Sequence, residues 1–554
     1  MNIFAETLQP MPIIFCRKSG LIFISNFYLT ISLLFLFSIL TNSCKNIKDR
    51  FPKKIKSNDL QAVINQESHL LFDSTALIRF FETYPELKKY EPDAFSIYRE
   101  HHFNQIWFDS KGVVEFGYSL FSKASNLETE GISSKFPYQD KLIGVFETDT
   151  KNELNNIETE IMLTSLFLFY AEKVYKGIDE TTTTTMGWLL PRKQLSYRYL
   201  LDSIFSDTTL LNQDNRVLIG QYYKLRTVLM QYREIEKKGG WNTIDVEPKQ
   251  KAFKPGDTAR TIRQIREHLY ITGDLKHNDS SNLYDTELLR AVKSFQRRNG
   301  KTPDKLISLK LIKEMNVPIG ERIKQIMLNM ERCRWISPET AEANEVIVVN
   351  IPSYKLNYFR NGKSVLESAV VVGKNMSKTV IFGGKMSYIV FSPYWNVPQS
   401  IINKEVKPGI AKNPNYLLEH NMEWNNGLLR QKPGRKNSLG LVKFIFPNSN
   451  DIYLHDTPSK GLFERDSRAF SHGCVRVGKA RELAINILQD DPSWTPQKID
   501  TAMHAGVERS YTLKKKIPVY IGYFTAWVND EGEIYFYEDI YERDDNLAQL
   551  LFGK

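Results

Sequence analysis

The sequence predicts a multidomain α+β protein, with a helical N-terminal scaffold, a small three-helix domain and a mostly β C-terminal domain interrupted by a lid insertion. Three observations carry this expectation. Apolar residues recur at helical spacing over residues 51–245 and again over 255–317. From residue 345 they fall instead into short β-branched runs separated by turns. The 554 residues, at about 150 per domain, also ask for roughly three to four domains.

Composition narrows the class. Hydrophobic residues make up 42% and charged residues 25%, which suits globular cores and excludes a disordered, collagenous or multi-pass membrane chain. The net charge of +10 favours an acidic partner or surface without choosing one. Four cysteines (Cys16, Cys44, Cys333 and Cys474) are too few for a disulfide framework, and none sits in a zinc-type spacing.

Residues 1–44 read as an export segment. Arg17 and Lys18 precede an uncharged, mostly apolar run from Leu21 to Leu40, which ends in Leu40-Thr41-Asn42-Ser43-Cys44. Three readings fit: a lipoprotein signal lipidated at Cys44, an uncleaved membrane anchor, or an ordinary cleaved signal. Each places the rest of the chain outside the cytoplasm.

Residues 51–245 form the expected helical scaffold. Glu160 to Tyr175, Leu195 to Phe205 and Val217 to Ile235 carry its apolar positions; Thr181 to Thr185 reads as a loop, and Gly239-Gly240-Trp241 marks the boundary. The region holds no nucleophile, base and ligand constellation. Residues 255–317 predict three short helices. Ile262, Ile265 and Leu269 line the first; Asp285 caps the second, which carries Leu288, Val292 and Phe295; Ser308 caps the third, which carries Leu311, Ile312 and Met315. Residues 318–342 read as a linker helix with Ile323, Met327 and Met330 on one side, and Cys333 reads as a packing residue.

Residues 343–540 predict the mostly β domain, with strands near 346–350, 356–359, 364–372, 388–391, 442–446, 452–455, 519–525 and 534–537. Asn361-Gly362 between two of them is a hairpin signal. The insertion at 401–440 has seven Lys/Arg against three Glu, a net +4, and Tyr416, Leu417, Leu418 and Trp424 offer it a small core.

The chemistry concentrates in His455-Asp456-Thr457-Pro458 and Ser471-His472-Gly473-Cys474-Val475-Arg476-Val477. A thiol attacks well only once it has lost its proton, so it needs a base and a favourable field. His455, at a strand end, and His472, two residues before Cys474, are the candidate bases. Arg476 supplies fixed charge, either to favour a thiolate or to bind a carboxylate, and Gly473 lets a substrate or backbone approach closely. Taken alone, such a cysteine can also be structural. Metal binding by His455, His472 and Cys474 lacks a fourth ligand at a diagnostic spacing, so no metal is assigned.

The string resembles the YkuD-type L,D-transpeptidase motif: a His, about 15 residues, then Ser/Thr-His-Gly-Cys. Here 15 residues separate His455 from Ser471. Trp395-Asn396-Val397-Pro398, Leu439 to Phe444, Phe446-Pro447-Asn448, Tyr453 to Pro458 and Arg468-Ala469-Phe470 are similar to the YcbB-like multidomain branch. Tyr284-Asp285 and Ala291 to Gln296 resemble a peptidoglycan-binding domain, although Pro303-Asp304-Lys305 stands where that domain usually has Asp-Gly. The resemblance implies Cys474 as nucleophile and His455 as base, its ring oriented by a backbone carbonyl near Asp456. It also implies His472, Gly473 and Ser471 in the nucleophile loop, and Arg476, Trp395, Asn396 and Tyr453 as substrate-binding residues. No cofactor is implied. The expected partners are peptidoglycan stem peptides and, through the N-terminal segment, a membrane, on the periplasmic side of the envelope. The implied reaction is 3→3 cross-linking through a cysteine thioester that carbapenems also acylate. Hydrolysis, D-amino-acid exchange, attachment of a protein lysine, or a non-catalytic wall-binding scaffold are the alternatives. A nucleic-acid partner fits neither the export segment nor any motif.

Overall fold

The C-terminal β structure is a closed ring of eight strands. These are β1 (Glu345–Asn350), β2 (Lys355–Arg360), β3 (Lys363–Gly373), β4 (Ile381–Phe391), β5 (Val442–Ile445), β6 (Leu454–His455), β7 (Val475–Val477) and β8 (Arg509–Gly522). Neighbours run β1-β2-β3-β7-β6-β5-β4-β8, and β8 pairs back onto β1 in parallel. The closing contact is β5 on β4, with Val442 opposite Phe391 and Ile445 opposite Tyr388. The computed structural model describes residues 71–147, 151–207, 217–247, 250–341 and 343–553, so the expected export segment lies outside the described residues.

Alternation fills the ring. Val370 and Val372 of β3, Ile389 and Phe391 of β4, Leu454 of β6, Val475 and Val477 of β7, and Val519 and Ile521 of β8 are all buried in one core. The Asn361-Gly362 turn has φ of +50° and +73°, the left-handed pair that a tight hairpin requires, and it joins β2 to β3. Two short strands extend the ring: Ala469–Ser471 runs parallel to the end of β3, and Trp188–Leu189 of the scaffold runs parallel to the start of β4.

The scaffold is helical. Its α1 (Asn156–Tyr170) starts with a reciprocal capping box between Asn155 and Glu158, a device worth about 1 kcal/mol. Buried Glu160 of α1 accepts from the amides of Ile106 and Trp107 and from the Tyr98 hydroxyl. The expected loop over the threonine run is instead a short helix, Glu180–Thr185, because Asp179 caps it by accepting from the Thr182 amide at 2.9 Å. The long α2 (Gly220–Lys237) closes the layer.

In the small domain α3 (Arg260–Ile271), α4 (Thr286–Arg298) and α5 (Leu309–Met315) enclose a core of their own that includes Ile262, Leu288, Val292, Phe295 and Ile312. Asp285 and Ser308 cap α4 and α5.

The helix α6 (Ile319–Arg334) is more than the expected linker. It is buried nearly all round, including Arg322, Asn329, Glu331, Arg332 and Arg334. Each polar group is met. Glu331 accepts from the Ile178 amide and the Trp335 indole and pairs with Arg334 at 2.8 Å. Arg334 also donates to the carbonyls of Glu130 and Val174, Arg332 pairs with Asp544, and Gln325 donates to the carbonyls of Thr525 and Tyr537. The helix is thus bonded to the scaffold on one side and to the chain after the ring on the other.

The insertion is ordered around a separate small core. Val397, Ile401, Ile402, Val406 and Leu429 are buried there, with Trp395, Tyr416, Leu417 and Met422 against them. Leu418 and Trp424, expected in this core, stand exposed instead. Asn426 and Gly427, with φ of +49° and +76°, turn the Met422–Asn425/Leu428–Gln431 hairpin.

Candidate active site

The site is built on a second parallel pair of the ring, β6 and β7. β6 and β7 align Leu454 with Val475 and His455 with Arg476. Leu454 and Val475 point into the ring core. Side chains alternate along a strand, so Tyr453, His455, Cys474 and Arg476 fall together on the opposite face. The Val475 amide donates to the Tyr453 carbonyl at 3.2 Å and carries the pairing one step further, to Cys474.

His455 is buried, and its Nδ1 lies 2.5 Å from the carbonyl oxygen of Asp456. A carbonyl only accepts, so Nδ1 carries the proton and Nε2 keeps a free lone pair. Burial, with Arg476 nearby, pushes the His455 pKa down to about 4. The ring is therefore neutral at pH 7 and able to accept a proton. The Asp456 carboxylate is fixed in turn: it accepts from the Leu441 amide at 2.9 Å and pairs with Lys460 at 2.5 Å. Gly440 permits this approach, since its φ is +64° and a Cβ there would collide with the Asp456 carboxylate.

Cys474 is half-buried, and its Sγ donates to the carbonyl oxygen of Asp451 at 3.6 Å. Burial pushes the thiol pKa up, against hydrogen bonds from Tyr453 and, more weakly, the Arg476 charge. At rest a protonated thiol and a neutral imidazole share this face of the β6–β7 pair. Cys333, in α6, is fully buried with its pKa pushed far up, and it packs without reacting.

The nucleophile loop is held from below. The Ser471 hydroxyl donates to the Cys474 carbonyl at 2.6 Å and accepts from the Gly473 amide at 3.2 Å. Thr379 donates to the Gly473 carbonyl at 2.8 Å, and the Tyr541 hydroxyl bridges the Thr379 amide and the Gly373 carbonyl. Gly473 has φ of +126°, which breaks the extended run between His472 and Cys474. His472 turns outward, and its Nε2 meets Glu405 of the insertion at 3.1 Å. The amides of His472 and Cys474 donate to no acceptor among the described residues.

Arg476 is half-buried; among the described residues its Nε has no hydrogen-bond partner and its guanidinium no ion pair. The Tyr453 ring sits 5.7 Å from that of His455, edge to face. Trp395 and Asn396 lie at the root of the insertion, paired with Gln431 and Arg430; Trp395 packs on the insertion core and Asn396 is exposed. Thr379, Tyr541, Asp451 and Glu405 escape sequence reasoning because they are brought to the loop from distant segments with no local motif. Among the described residues no group of three His, Cys, Asp or Glu could hold a metal ion.

Residues 344–503 match the YkuD L,D-transpeptidase catalytic domain family, and residues 93–229 match a scaffold domain family. The match spans the strands that carry the Cys474/His455 face, so this part of the chain is similar to L,D-transpeptidase catalytic domains. A curated Haemophilus influenzae protein named "Putative L,D-transpeptidase" is 37% identical over 250 residues, which cover 41% of this chain and 50% of that one. The chain thus spans about half the length of this curated relative. Among solved structures, the L,D-transpeptidase of Xylanimonas cellulosilytica is 12% identical with a TM-score of 0.17, over 50% of this chain and all of that chain (100%). That of Mycobacterium smegmatis is 10% identical with a TM-score of 0.19, over 32% and 58%. Scores this low carry no comparison of the sites.

Proposed function

We propose that the protein is a peptidoglycan L,D-transpeptidase that forms 3→3 cross-links between stem peptides through a thioester on Cys474. The observation that carries this reading is the shared face of Cys474 and His455, with the His455 Nδ1 proton committed to the Asp456 carbonyl. His455 Nε2 takes the thiol proton as Sγ attacks the carbonyl between stem residues three and four. This is general-base activation of a thiol, not attack by a standing thiolate. The His472 and Cys474 amides are the donors available to the oxyanion, and the Ser471, Thr379 and Tyr541 bonds hold them in place. D-alanine leaves with the proton from His455. An amine of a second stem then attacks the thioester, and the cysteine is released.

Arg476, half-buried without an acid partner, would take a stem carboxylate, with Tyr453 beside it. The insertion, tied to the loop by Glu405 and His472, would shield the thioester from water. Direct wall binding by residues 255–317, an anchor or lipid at the N-terminus, a periplasmic site and acylation by carbapenems belong to the same reading. The half-exposed thiol also suits water or a free D-amino acid as acceptor, which would give carboxypeptidase or exchange products.

The test uses the full chain in detergent with disaccharide-tetrapeptides, wild type against Cys474→Ala, read by mass spectrometry. A covalent tripeptide adduct and cross-linked dimers in the wild type alone are expected. Dimers of equal abundance in both would refute the thiol mechanism, and tripeptide without dimers would establish hydrolysis instead.

A further inference from the structure

The second half-reaction needs an amine, and an amine near neutral pH arrives as an ammonium ion. The insertion over the site is rich in cations. Lys404 and Lys407 flank Glu405 in sequence, and neither has an acid partner among the described residues. An ammonium therefore needs a carboxylate close to Cys474 to offset them.

Among the described residues, Glu405, Asp456 and Asp451 are acidic residues bonded to the site, to His472, His455 and Cys474 in turn. Glu405 is occupied by His472 at 3.1 Å. Asp456 is occupied by the Leu441 amide and Lys460. Asp451 is the remaining one. It is exposed, and among the described residues its carboxylate has no hydrogen bond and no ion pair. Its own carbonyl oxygen accepts the Cys474 thiol at 3.6 Å, so the residue stands directly beside the reacting sulfur. Its φ of +52° is a left-handed conformation uncommon outside glycine. The turn that carries it is held by Asn448, which accepts from the amides of Asn450 and Ile452 and donates to the carbonyls of Phe446 and Ile452. The turn and the thiol contact together fix the backbone of Asp451 beside the nucleophile.

Resting on the reading of the site as a transpeptidase, we propose that Asp451 is the acceptor-specificity residue, whose carboxylate binds the ammonium of the incoming stem and delivers it to the Cys474 thioester. The bookkeeping of atoms is simple. The bound ammonium first releases one proton to solvent along Asp451. The neutral nitrogen then forms the new C–N bond as the C–S bond breaks. Its second proton passes to His455 Nε2 and from there to the departing sulfur, which restores the thiol. Water carries no positive charge and gains nothing from Asp451, so the residue would bias the acyl-enzyme toward transfer over hydrolysis.

The decisive variant is Asp451→Asn. Asparagine adopts the left-handed conformation at least as readily as aspartate and keeps the backbone carbonyl, so the loop is preserved while the charge is lost. The full chain in detergent is supplied with a disaccharide-tetrapeptide donor and a disaccharide-tripeptide acceptor, and the acyl-enzyme, dimers and hydrolysed tripeptide are measured over time. The expected result is an acyl-enzyme that forms at least as fast as in the wild type, an acceptor KM raised about tenfold or more, and a product ratio shifted from dimer to tripeptide. An acceptor KM and product ratio within about twofold of wild type would overturn the proposal. So would an acyl-enzyme that forms in the wild type but not in Asp451→Asn, or a larger rise in acceptor KM in Glu405→Gln than in Asp451→Asn. A wild type that never shows the acyl-enzyme mass would instead remove the transpeptidase reading itself, and this inference with it.

Discussion

His455 and Asp456 are consecutive residues that serve each other twice over: the Asp456 carbonyl takes the Nδ1 proton of His455 at 2.5 Å, while the Asp456 carboxylate takes the Leu441 amide and Lys460. The first bond fixes the tautomer of the ring and the second fixes the backbone that makes the first. One residue thus orients the base through its main chain and anchors itself through its side chain.

Acid should destabilise the protein through this ring. His455 has a pKa of about 4 in the folded chain against an ordinary 6.5. The unfolded chain therefore binds this proton more readily, and stability falls as pH drops. The contribution is complete above about 6.5 and is lost toward about 4, with a ceiling near ~3 kcal/mol. Melting temperatures of the wild type and His455→Gln measured across that range should converge as the pH is lowered. Parallel curves would contradict a neutral buried imidazole.

Ser471→Ala removes a hydroxyl that both donates to the Cys474 carbonyl and accepts from the Gly473 amide. The expected loss is about 1–3 kcal/mol in the acylation step, or roughly one to two orders of magnitude in rate, with a folded protein by circular dichroism. Single-turnover adduct formation measures it. Tyr541→Phe should give a smaller loss of the same kind, because it reaches the loop indirectly, through Thr379 and Gly373.

Gly440→Ala should lower both stability and rate. The new Cβ would meet the Asp456 carboxylate, and the backbone would be held at φ of +64° with a side chain it disfavours. A cost of about 1–3 kcal/mol is expected, read as a lowered denaturant midpoint, together with slower acylation because Asp456 shifts.

Glu331→Gln addresses the buried helix α6. The variant leaves Arg334 without its carboxylate, fully buried between the scaffold carbonyls of Glu130 and Val174. Removing one partner of a buried pair costs about 3–5 kcal/mol, so a large drop in melting temperature is expected while the motif residues are untouched. Calorimetry checks it.

Legibility from sequence followed the range of the interactions. Cys474, His455 and Ser471 stood out because thiol, imidazole and hydroxyl lie in one short string, and the strands because alternation is local. The caps at Asp285 and Ser308 were readable for the same reason. The threonine run was misread because its β-branched side chains hide the helix that Asp179 starts. Closure of the ring was invisible, since it depends on β5 finding β4 across the whole insertion. The burial of α6 was concealed by its arginines and glutamates, which read as a solvated face until their partners are seen. His472 was expected to face the thiol, as i and i+2 residues do in an extended segment. The φ of Gly473 undoes that geometry, and Glu405 comes from a part of the chain with no motif.

The closed ring also bears on how the protein fails. Each ring strand has a neighbour on both sides, and the start of β4, which outruns β5, is covered by Trp188–Leu189. The β4–β5 pairing thus withholds those two strand edges from another copy. Aggregation of a variant weakened at this seam should therefore track the population of the opened state rather than the concentration of intact molecules.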